Sequence, residues 1–128
     1  MAFNVLKTAT FSLAMAMLST PVMADEILFK CYFDWGCDPN TKCSDADLDI
    51  RFKLDTETNE VTRVGGNQLS TFSTLIGDRA VTFLEIPISG GTTTTTISTQ
   101  NGLAVHSEHT IEGIDISPRQ YLGECITF

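Results

Sequence analysis

The chain has 128 residues and a formal net charge of −8, eight Lys or Arg against sixteen Asp or Glu. Phosphate backbones are held by Lys and Arg, so this balance argues against a nucleic-acid partner. It suits solubility, and would speed encounter with a basic partner.

The first 24 residues read as an export leader set apart from the fold. Lys7 is followed by an apolar run from Phe11 to Leu18, then Ser19, Thr20 and Pro21, then Val22-Met23-Ala24. A basic start, an apolar stretch of about 7–15 residues and small residues before a cut form the signal-peptide pattern. A membrane helix needs roughly 20 apolar residues, and the run is too short. Cleavage is expected after Ala24, and Asp25 stands where a lipid-anchored protein carries cysteine. Residues 25–128 then form one expected domain, periplasmic or secreted, with no stable membrane insertion once the leader is gone. A chain of this size holds a single core. Without Lys7 its charge is −9, seven basic residues against sixteen acidic.

The elements follow in order. Ile27 to Phe33 is a β-prone run. In Leu48 to Leu54, Leu48, Ile50, Phe52 and Leu54 alternate with Asp49, Arg51 and Lys53, the mark of a half-buried antiparallel strand. "DTETNE" (55–60) turns the chain into Glu60 to Val64, and "GGNQ" (65–68) into Leu69 to Ile76. "GD" (77–78) leads to Arg79 to Ile86, "SGG" (89–91) to a threonine run, and "QNG" (100–102) to Leu103 to Ile111. In "SPRQYLGEC", Ser117 can cap a helical turn with Pro118 at its first position and Gly123 at its end. That turn would deliver a last strand with Cys125. Roughly eight short strands with short connections predict an all-β fold, a small antiparallel meander barrel, with a β-sandwich as the alternative.

The four cysteines all follow the leader. An even number in a small exported domain reads as two disulfides, and C-x5-C-x5-C matches no zinc spacing. A closed meander pairs its first strand with its last. Cys31 and Cys125 would then bridge the closing seam, worth roughly 4–5 kcal/mol for so long a loop, and Cys37 and Cys43 would staple "CDPNTKC". Four cysteines allow other pairings.

Thr92 to Thr96 form one strand, since threonine is β-branched and Asn-Gly ends the run as a hairpin signal. Alternation puts Thr92, Thr94 and Thr96 on one face and Thr93, Thr95 and Ile97 on the other. If the first face points inward, it would line a small polar cavity. His106 and His109, three apart on the next strand, face opposite ways; they cannot share a metal there, and one is expected to be solvated and one hydrogen-bonded at the core edge. "HSEH" lacks the H-E-x-x-H spacing, neither acidic cluster fits a calcium loop, and no G-x-S-x-G is present. No cofactor, metal or catalytic residue is expected. Thr92, Thr94, Thr96, His106 and His109 are the candidates for ligand contact.

"VTFLEIPISGGTTTTTIS", "GLAVHSEHTI" and "SPRQYLGEC" resemble the C-terminal half of a group of small exported alphaproteobacterial proteins. That likeness implies a compartment and a β-fold. The outline, with "FKC" early, a small barrel and a late cysteine, is also similar to the C-type lysozyme inhibitor family. In that family an inhibitory loop carries Ser-Gly followed shortly by an aromatic residue; Ser89-Gly90 matches, and the aromatic is absent. The resemblance implies an interaction protein of the cell envelope, inhibitor-like toward a cell-wall hydrolase such as a basic lysozyme-like enzyme. The alternative is a carrier of a small polar or amphipathic ligand inside the barrel.

Overall fold

A computed structural model describes residues 25–65 and 70–128. The expected leader, and residues 66–69, which hold the rest of "GGNQ" after Gly65 and Leu69 of the next expected run, lie outside the described residues. Among the described residues there are eight strands: β1 (Glu26–Asp38), β2 (Thr41–Asp55), β3 (Val61–Arg63), β4 (Ser70–Ile76), β5 (Ala80–Pro87), β6 (Thr92–Ser98), β7 (Leu103–Glu112) and β8 (Asp115–Thr127). All pairings are antiparallel, in the order β3-β2-β1-β8-β7-β6-β5-β4. The sheet is a nearly closed barrel. Among the described residues, no helix is long and apolar enough to cross a membrane.

First and last strands do pair, with Cys31 directly opposite Cys125. Those two cysteines are bonded to each other, as are Cys37 and Cys43. The barrel's opening lies elsewhere, between β3 and β4, which end the hydrogen-bonded order. There the wall is completed from inside. Phe83 on β5 packs 4.8 Å from Phe52 on β2 and 5.2 Å, edge to face, from Phe29 on β1. Arg63 on β3 reaches Glu85 on β5 at 3.5 Å.

The alternation of Leu48 to Leu54 works as its chemistry dictates: Ile50, Phe52 and Leu54 are buried, with Leu48 packed against the same core. The acidic "DTETNE" makes the expected turn. Asp55 Oδ1 accepts the backbone N–H groups of Glu57 (2.8 Å) and Thr58 (3.1 Å), an Asx turn. Those N–H groups hold the Asp55 carboxyl below its ordinary value.

One local expectation is corrected. The tail "SPRQYLGEC" forms no helical turn, because β8 runs unbroken through it, with Ser117 opposite Thr110 and Pro118 opposite His109. A partner strand outweighs the capping signals of a few residues. Asn101-Gly102 does turn the chain between β6 and β7: of the pair Gly102 takes positive φ (74°), and its N–H reaches back to the Ser98 carbonyl at 3.0 Å.

Candidate functional site

The threonine strand is oriented by what it faces. Across the barrel interior run Phe83, Thr95, His106 and Tyr121, each opposite the next on β5, β6, β7 and β8. Thr95 and Ile97 are therefore inside, and Thr92, Thr94 and Thr96 lie on the outer face. The face left open as a possible interior lining is thus on the outside, where Thr96 shares a hydrogen bond with Thr82 at 2.9 Å.

The two histidines separate as their spacing requires: His109 is exposed, and His106 is 1% exposed. The His106 Nδ1 lies 2.7 Å from Thr95 Oγ1, and its Nε2 lies 3.1 Å from Glu108 Oε1. A neutral ring satisfies both at once, with Nε2–H donating to the carboxylate and Nδ1 accepting the Thr95 hydroxyl. That bond from His106, foremost, holds the Glu108 carboxyl below its ordinary value, against the opposing effect of burial. Phe33 and Tyr121 stack near the imidazole, 5.4 and 6.0 Å between ring centres. The connection Thr95–His106–Glu108 has the order of a hydroxyl, a base and a carboxylate. However, the Thr95 side chain is sealed, at 1% exposure.

Above this relay the barrel mouth is polar. Arg63, Glu85, Thr93 and Glu108 line an open cleft of about 400 Å³. Glu85, Thr93 and Glu108 share one cross-strand row. Below them the interior is filled by Phe29, Phe33, Phe52, Phe83, Ile50 and His106. Among the described residues, no group of three or more His, Cys, Asp or Glu is arranged to hold a metal ion.

A larger open groove, about 650 Å³, lies on the outer wall over β1, β8, β7 and β6. Beside it β1 carries a bulge. Phe33 points into the core, and strict alternation would send Trp35 in as well. The register instead shifts between Phe33 and Trp35 against both neighbouring strands. An inserted residue of this kind re-aims the side chains beside it, and Tyr32, Asp34 and Trp35 all emerge on the outside. Trp35 is opposite Leu122, which is opposite Val105, which is opposite Thr96. In the adjoining row Tyr32 is opposite Glu124, which is opposite Leu103. Gly123 lets β8 approach the bulge, since a Cβ there would collide with the Tyr32 carbonyl and Phe33 Cα. This site was not legible in the sequence, where the first β-prone run ends at Phe33 and leaves Asp34 and Trp35 outside any strand. The one signal available was Gly123 inside a strand, where glycine marks a bulge or close backbone approach.

The Ser89-Gly90 pair stands in an exposed β5–β6 turn, closed by the Gly90 N–H to the Pro87 carbonyl at 3.0 Å. Ile88, 84% exposed, projects beside it. Comparisons with family models, with curated proteins and with solved structures give no match to this chain.

Proposed function

We propose that this chain is an exported, non-catalytic interaction protein of the cell envelope, acting on a basic partner and inhibitor-like toward a cell-wall hydrolase. One observation carries the reading: the described interior is filled with side chains, while an open groove lies on the outer wall with exposed Tyr32 in its lining and exposed Trp35 beside it, opposite Leu122. Two disulfides fit an oxidising compartment such as the periplasm or the exterior, and the leader-like start fits the same route. The acidic charge favours a basic partner by steering encounter.

The carrier reading has less support. Its site would be the polar cleft at the barrel mouth, since Thr92, Thr94 and Thr96 face outward. The test is a cell-wall lysis assay with a basic C-type lysozyme and an excess of the disulfide-bonded protein. Slowed lysis, relieved by added salt, is the expected result. Unchanged lysis at every ratio removes the hydrolase-inhibitor form of the proposal.

A further inference from the structure

We propose that the outer face of β1, β8 and β7 is the docking surface, and that its occupant is a basic protein. That protein lays an arginine or lysine over Trp35 and Tyr32 and seats an apolar neighbour against Leu122 and Val105. The proposal rests on the interaction reading above and names the surface and the chemistry of its partner.

Displaying these side chains to water is costly. Tyr32 is 46% exposed and Trp35 43%, with Leu103 and Leu122 also open to water beside them. Scattered exposed apolar residues are ordinary, but a contiguous patch with polar surroundings marks a place where something binds. Two adjacent cross-strand rows make this patch contiguous.

The charge around them is mostly negative. Asp34 and Glu124 line the groove. Asp45 is opposite Trp35, and Asp49 is opposite Tyr32, with Asp47 exposed between them on β2. Among the described residues, only Asp49 of these five has an ion-pair partner, Arg51 at 3.6 Å. Lys30 and Arg51, opposite each other one step along, bound the patch at that end. Aromatic faces beside unpaired carboxylates favour a guanidinium or ammonium group, which gains from both. A second copy of this chain would set carboxylates against carboxylates, and an anionic lipid surface would be repelled in the same way.

Trp35 is the single tryptophan, so its fluorescence reports on this surface alone. The probes are a short peptide of alternating arginine and leucine, the matching glutamate–leucine peptide, and chitotetraose as a neutral glycan. The arginine peptide is expected to shift the emission saturably, with binding that weakens as salt is raised. Asp34→Asn with Glu124→Gln should weaken it about tenfold, the effect of two exposed ion pairs. Trp35→Ala, followed by calorimetry, should weaken it by a similar factor. Glu57→Gln with Glu60→Gln, on the distant β2–β3 turn, should leave it unchanged. All of these positions are exposed, and circular dichroism checks that each variant keeps the fold.

Equal binding of the glutamate peptide, tighter binding of chitotetraose, or unchanged affinity in the Asp34/Glu124 variant would overturn the proposal. A lysozyme slowed equally by the native protein and by these variants would overturn this surface and leave the interaction reading standing. Native protein that neither binds the peptide nor slows lysozyme would overturn both.

Discussion

The β1–β8 seam and the β3–β4 opening solve the same problem, closing a small sheet, by different means. At the seam the backbone does the work, with a ladder from Phe29 opposite Thr127 to Cys37 opposite Gln120, fastened by the Cys31–Cys125 bond. At the opening β3 contributes three residues, and side chains cross the gap where a ladder is missing. The difference teaches where rigidity is concentrated. The covalent closure lies under the outer groove, so the display of Tyr32 and Trp35 rests on the most constrained part of the wall. The opening lies beside the polar mouth, where adjustment costs least.

Breaking the seam should cost most. Replacing both Cys31 and Cys125 with alanine frees a loop spanning 94 residues, a loss of about 5 kcal/mol on the chain-entropy model. Removing Cys37 and Cys43, separated by only six positions, should cost about half as much. Urea denaturation of the two double variants measures the contrast directly. Equal losses would mean the seam holds no special place.

The matching break at the opening is Phe83→Ala. Phe83 is buried against Phe29 and Phe52, and its truncation should cost about 3–4 kcal/mol. Faster amide exchange should follow first in β3 and β4, with the β1–β8 ladder still protected. Exchange rising uniformly along the chain would show that the two regions do not differ in stability.

Gly123→Ala sharpens the comparison at one atom. Its Cβ would meet Tyr32 and Phe33 backbone rather than a movable side chain, so β8 must pull back, at a cost of roughly 2–3 kcal/mol. The same change should alter Trp35 emission, because the bulge it relaxes is the one that aims Trp35 outward. A Gly123→Ala protein with native stability and unaltered emission would remove glycine from the explanation of the site.

The smallest effect is on pH. Glu108 is held below its ordinary value of 4.5 chiefly by the bond from His106. A depressed carboxylate contributes stability that is complete above that ordinary value and is lost as pH falls through the lowered one. Asp55, lowered by its turn's N–H groups, acts with the same sign. Glu108→Gln should therefore flatten the acid limb of a stability–pH curve without abolishing it. An acid limb identical to that of the native protein would break the assignment.

Much of the fold was legible because its signals are repeated along the chain. Leu48, Ile50, Phe52 and Leu54 fix one face of β2 four times over, and the three-residue spacing of His106 and His109 settles their opposite faces. The seam followed from topology, since a meander that closes must join its ends. What failed was local and singular. Ser117, Pro118 and Gly123 carry helix-end chemistry, yet β7 pairs with the chain along this whole stretch and holds it extended. The outer site was illegible for a related reason. A one-residue bulge inverts which side chains emerge, and pattern reading assumes that none is present.

The most direct test of the central claim, that the bulged seam displays Trp35 outward among unpaired carboxylates, is collisional quenching of its fluorescence by a cation and an anion. Caesium should quench the native protein far better than iodide at low salt, and the preference should shrink at high salt and in the Asp34→Asn, Glu124→Gln variant. Trp35 shielded from both quenchers, or reached by iodide as readily as by caesium, would contradict the account.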